Sequence, residues 1–188
     1  MKPLHAWLAL VVMLAVHGTT HADFIATATL TGDGESNSPG RGNGSVTFNS
    51  ATDSLTVSLN FSGLTSPTKV PTGVPGAAHI HYGKPGIEGP IIFPFLNFPI
   101  GVTSGTYSTI LTASNLTPDP KDGINTFTDA VDAIEAGHTY FNIHTVNFPM
   151  GEIRGQLSVV PEPAGLTLMG LGLGGLLAYA WLRRRPAV

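Results

Sequence analysis

The chain has 188 residues, a formal net charge of −3, 11% charged residues, 23 glycines, 15 prolines and no cysteine. That length holds one domain with accessory segments, and the composition excludes a helical bundle and a disordered acidic tail. Without cysteine there is no disulfide framework, thiol nucleophile or thiolate metal site, so stability must come from a buried core. At the start, Lys2 precedes an apolar run of 11 residues, Ala6 to Val16, and then "GTTHADF". The run is too short to span a bilayer. Thr20 and Ala22 supply the small residues a signal peptidase requires, so residues 1–22 are expected to be a signal peptide cut after Ala22. His5, His17 and His21 would leave with it.

The next segments alternate with the period of two that a half-buried strand requires. "FIATATLT" puts Phe24, Ala26, Ala28 and Leu30 on one side, and "GSVTFN" adds Val46 and Phe48. "DSLTVSLNF" sets Leu55, Val57, Leu59 and Phe61 against Ser54, Thr56, Ser58 and Asn60. "AAHIHYG" follows, with His79 and His81 two residues apart. The apolar stretch 91–102, which includes most of "GPIIFPFLNFPIG", is punctuated by prolines that deny it a central strand position, so it is expected to be a lid over one end of the core, with a partner or matrix contact as the alternative. "TYSTILT" adds Tyr107, Thr109 and Leu111. "TFTDAVDAIEAG" spaces Phe127, Val131 and Ile134 as a short helix stopped at Gly137. "TYFNIH" and "EIRGQLSVV" close the series as strands. Many short strands and one helix predict a mainly β fold: an immunoglobulin-like or Greek-key antiparallel β-sandwich over residues 23–160.

Three of these strands carry a polar face of specific composition. His79 and His81 share one face; Tyr140, Asn142 and His144 share another; Glu152, Arg154 and Gln156 share a third. If the strands pair, these faces merge, and His79, His81 and His144 become candidate ligands for zinc or copper, supported by Asn142, Glu152 and Arg154. The competing reading is a structural hydrogen-bonded network, in which the imidazoles and Asn142 satisfy loop carbonyls and Glu152 pairs with Arg154 or an imidazole. His138, beside the helix stop, reads as a cap or surface residue. No nucleophile elbow, paired-carboxylate pattern or phosphate loop is present, so no catalytic residue is assigned. Residues 23–160 hold eleven carboxylates against five Lys and Arg, an excess of six negative charges, which excludes nucleic acid as a partner.

Together, "AAHIHYGKPGIEGPIIFPF", "AGHTYFNIHTVNFPMGEIRGQL" and "DSLTVSLNFSGL" resemble the CHRD (chordin-type) domain over about residues 26–157. The resemblance implies an immunoglobulin-like sandwich and a secreted setting without fixing an activity.

The last segment reads "VPEPAGLTLMGLGLGGLLAYAWLRRRPAV". Residues 164–182 are 19 positions without a charge, roughly 28 Å of helix at 1.5 Å per residue, which suits one transmembrane helix. Arg183, Arg184 and Arg185 then hold the tail in the cytoplasm. Pro161, Glu162 and Pro163, the apolar span and the arginines resemble the PEP-CTERM sorting signal of exopolysaccharide-producing bacteria, here at 161–188. That resemblance implies cutting by an exosortase, after transient residence in the inner membrane, and release to the cell surface or beyond. A permanent single-span anchor is the alternative. The reading is therefore of a non-enzymatic binding or structural module of the extracellular matrix, with exopolysaccharide or surface proteins as partners. Its alternatives are a zinc or copper protein built on the three histidines and a metal-dependent redox or hydrolytic enzyme.

Overall fold

The computed structural model describes residues 21–33 and 36–161, with isolated helical positions at 172, 175, 176 and 179. The expected signal peptide up to residue 20, the sorting residues Glu162, Pro163, Arg183, Arg184 and Arg185, and nearly all of the expected span at 164–182 lie outside the described residues. Among the described residues no helix is long and apolar enough to cross a membrane.

Where the sequence alternates, the chain runs as strand. In β1 (Phe24–Thr31), Ala26, Ala28 and Leu30 are buried and the residues between them exposed. β2 (Arg41–Asn49) and β3 (Ser54–Ser62) continue it as an antiparallel meander, with Val46 opposite both Ala26 and Val57. β6 (Gly105–Leu111) covers the free edge of β3. The second half is built from β4 (Ala78–Tyr82), β5 (Ile91–Pro94), β7 (Thr139–Ile143) and β8 (Ile153–Gln156). β7 pairs with both β4 and β8.

The fold is mainly antiparallel β with one helix, as the periodicity predicts. Its two halves face one another as sandwich layers do. A Cβ added to Gly44 of β2 would sit 2.5 Å from a ring carbon of Phe141 in β7. Hydrogen bonding nevertheless runs continuously between the halves. β8 meets β1 at Arg154–Thr31, and the short β9 (Ser158–Val159) meets it at Val159–Ala26. The order β5-β4-β7-β8-β1-β2-β3-β6 is thus a single sheet that nearly closes on itself. "EIRGQLSVV" is not one strand: Leu157 interrupts it, donating its N–H to the Thr139 carbonyl instead.

The segment 91–102 divides in two. Residues Ile91–Pro94 form β5, a strand the sequence reading did not anticipate, and it lies at the sheet edge, where Pro94 is tolerated. Beyond it, Phe95 and Phe98 turn inward, with the Phe95 ring 5.3 Å from Tyr107 and 6.0 Å from Phe141, so the residues cover the core end between the two sheet edges. The helix α1 (Phe127–Glu135) starts at Thr126, whose hydroxyl and backbone exchange hydrogen bonds with Asp129 in a capping box. It buries Phe127, Val131 and Ile134, and Gly137 ends the turn at φ +69°.

Candidate functional site

Cross-strand register assembles the polar faces as the alternation predicts. His79, Asn142 and Arg154 form one row across β4, β7 and β8; His81, Tyr140 and Gln156 form the next. The opposite faces carry Ile80, Phe141 and Gly155 into the core. His144 follows β7 directly, anchored by its N–H to the Ala77 carbonyl at 2.8 Å. All three imidazoles are buried: His79 is 0%, His81 8% and His144 5% exposed. Ring centroids lie 4.9 Å apart for His79 and His144, 5.5 Å for His79 and His81, and 6.4 Å for His81 and His144. One nitrogen from each ring lies within 4.8 Å of the others.

The outward nitrogens are pinned by backbone. His79 Nε2 meets the Pro75 carbonyl at 2.8 Å, His81 Nδ1 the Gly89 carbonyl at 2.9 Å, and His144 Nδ1 the Pro149 carbonyl at 2.9 Å. A carbonyl only accepts, so each of these nitrogens must carry the proton of its neutral ring. The inward nitrogens, His79 Nδ1, His81 Nε2 and His144 Nε2, are then all bare lone pairs. His79 Nδ1 and His144 Nε2 stand 3.1 Å apart, and His81 Nε2 is buried with no hydrogen-bond partner among the described residues. Three converging lone pairs repel unless a cation sits among them.

A proton is a poor candidate for that cation. Burial, then the neighbouring His144 and His81, pushes His79 down to about 3. Burial pushes His81 down to about 4, and it lowers His144 as well. At neutral pH the rings are uncharged, the form that ligates metal. Carbonyl-pinned N–H groups also fix ring orientation, which is how metal-ligating histidines are held.

Around the triad, the Tyr140 ring stacks on His81 with centroids 4.9 Å apart, and the Arg154 guanidinium lies over the same Tyr140 ring, 5.3 Å from its centroid. Asn142 donates Nδ2–H to the Met150 carbonyl at 2.9 Å, and its Oδ1 is buried and unpartnered among the described residues. A cavity of about 150 Å³ adjoins the triad, lined by His81, His144, Tyr140, Asn142, Arg154 and Glu88 among others.

Glu152 does not join this patch. It precedes β8, and its carboxylate is taken by the hydroxyls of Ser38 (2.6 Å), Thr65 (2.9 Å) and Thr145 (2.7 Å) and by the Thr65 N–H. Burial opposes its ionisation, but these donated hydrogen bonds outweigh that and hold the carboxyl below its ordinary range. It is 1% exposed and ties three loops together. His138 stays outside the cluster, capping the α1–β7 turn through its N–H to Ala133. His21 lies beside α1, 3.3 Å from Asp132 and 3.1 Å from Glu135.

Loop carbonyls are the partners that the network reading expects for these imidazoles, but the sequence does not single out Pro75, Gly89 and Pro149. They act through backbone, so no residue type marks them.

Comparison with known proteins gives two matches. A family model described as the CHRD domain matches residues 26–157, and one described as the PEP-CTERM protein-sorting motif matches residues 159–185. Neither the curated proteins nor the solved structures contain a significant match.

Proposed function

We propose, for a chain that belongs to the CHRD-domain family and carries a PEP-CTERM sorting motif, that the exported domain binds one zinc or copper ion through His79, His81 and His144. The sorting motif establishes the setting: export through the inner membrane, exosortase processing and delivery to the cell surface or extracellular space. The observation that supports the metal is the convergence of three lone pairs, each forced by a carbonyl on the far side of its ring. Neutral imidazole suits both Zn and Cu. Titration of purified protein with Zn(II) and Cu(II) should show one equivalent bound. His79→Ala and His144→Ala should each weaken binding by more than the roughly 10–100-fold that losing a ligand's own hydrogen-bond partner costs. Wild-type protein that binds neither ion would end this reading.

A second observation favours the matrix module, placed on another surface. The outer face of β1, β2, β3 and β6 is paved in register by Thr27, Ser45, Ser58 and Ser108, then Thr29, Asn43, Asn60 and Thr106. These residues line a concavity of about 660 Å³ without a charged side chain. Short hydroxyls and amides offer donors and acceptors in the manner a neutral exopolysaccharide chain matches. Sedimentation of the protein with the producer's own polysaccharide should be lost in Asn43→Ala/Asn60→Ala. Equal sedimentation of both proteins would remove this face from consideration.

A further inference from the structure

Resting on the metal reading above, the geometry points to a fourth, exchangeable coordination position on the ion, opening into the adjacent cavity and holding a water that Asn142 orients. Three observations on this chain carry it.

The protein supplies three ligands to the cluster, and among the described residues no fourth His, Asp or Glu groups with them. Glu152, the buried carboxylate nearest in sequence, is saturated by Ser38, Thr65 and Thr145. Three protein ligands with a fourth corner left to solvent is the arrangement of an open site, whereas closed structural sites use four. Second, the cavity of about 150 Å³ is lined by two of the ligand residues, His81 and His144, so it adjoins the cluster on one side. That volume accommodates a water and a small incoming molecule.

Third, Asn142 Oδ1 is a buried acceptor with no donor among the described residues. Its direction is not free, because Nδ2 is committed to the Met150 carbonyl. A buried amide oxygen left without a donor costs about 1–3 kcal/mol. Asn142 stands directly opposite His79 in the β4–β7 register and lines the same cavity, so a water on the ion would donate to it. The orphaned acceptor and the missing ligand are thus answered by one molecule. Gly151, at φ +128°, leaves the space this amide occupies: an added Cβ there would collide with Asn142 Oδ1 itself. Asn142 is then a positioning residue for the exchangeable ligand, and small anions that coordinate metal would displace the water.

The test uses the full chain purified in detergent and loaded with Co(II), whose visible absorption reports coordination, followed by titration with azide. The expected result is one equivalent of cobalt, a tetrahedral-type spectrum, and a saturable change on adding azide. In Asn142→Ala the stoichiometry should stay at one while azide binds about fivefold more tightly, since the displaced water has lost one hydrogen bond of about 1 kcal/mol. Glu88→Gln controls for the exposed carboxylate at the cavity mouth. Cobalt bound with a spectrum that azide leaves unmoved would overturn the open position while the three-histidine site stands. A spectrum that changes in Glu88→Gln and ignores azide in the wild type would overturn it too, by making Glu88 the fourth ligand. Failure to bind cobalt would remove the metal site and this inference together.

Discussion

Glu152 shows what a buried carboxylate does when it is not a ligand. Four donors from Ser38, Thr65 and Thr145 surround it, and removing charge there leaves those donors facing an amide. Glu152→Gln should therefore lower unfolding free energy by about 2–4 kcal/mol, read from urea melts. The folded carboxyl is held below its ordinary value, while in the unfolded chain it titrates near about 4.3. Its contribution is thus complete above about pH 5 and is lost as pH falls through the unfolded value and below. Wild type should lose stability more steeply than Glu152→Gln between about pH 5 and 3; parallel curves would show that this carboxylate contributes nothing. The histidines were legible because residue type and a period of two specify a shared face. Glu152 was not, because β8 begins at Ile153 and the alternation stops one residue short of it. Its hydroxyl partners come from three separate loops, and in a chain rich in Ser and Thr no pattern marks them.

Among the elements, β1 and β3 were readable because each has one wet face, which writes a clean alternation into the sequence. β4 was harder: its first four residues are buried on both faces, since loops carrying Pro75, Gly89 and Pro149 cover the imidazole side. β5 was hidden for a related reason, because an edge strand buried on both faces reads as a continuous apolar run interrupted by proline. The residues after it make a testable pair. Phe95 is 0% exposed against Tyr107 and Phe141, whereas its neighbour Leu96 is 60% exposed. Phe95→Ala should cost about 3–5 kcal/mol in thermal or urea unfolding, and Leu96→Ser should stay within about 0.5 kcal/mol. Equal effects would mean the segment does not close the core. Facing layers make a similar demand at Gly44, where a Cβ would meet Phe141 at 2.5 Å and Leu59 at 2.6 Å. Gly44→Val should destabilise by about 1–3 kcal/mol through overpacking, and a neutral result would contradict the close approach of β2 and β7.

At the scale of the whole molecule, topology separates the ends of the domain from its candidate site. Val159 pairs with Ala26, and the Val160 N–H bonds to the Ile25 carbonyl at 2.8 Å. The start of β1 and the last residues before the sorting motif therefore leave the fold side by side, with Asp23 and Pro161 lining one shared pocket. Sequence alone did not show this, because pairing of the first and last strands leaves no local trace. The row that carries His79, Asn142 and Arg154 instead meets β1 at Thr31, at its opposite end. Seven steps along β1 at about 3.3 Å each put roughly 23 Å between that row and the exit of both ends. The separation exceeds contact range and the roughly 8 Å screening length of physiological salt, so neither packing nor charge should carry the state of the tail to the imidazoles. Metal affinity should then be the same, within about twofold, for the full chain and for protein cut after Pro163. Deleting 158–163, which removes β9, should instead lower the melting temperature, because Ala26 and Thr27 lose their strand partner. Parallel metal titrations and melts on the three proteins decide the matter. A shift of affinity beyond about tenfold (about 1.4 kcal/mol) on cutting after Pro163 would show that processing and the site are coupled.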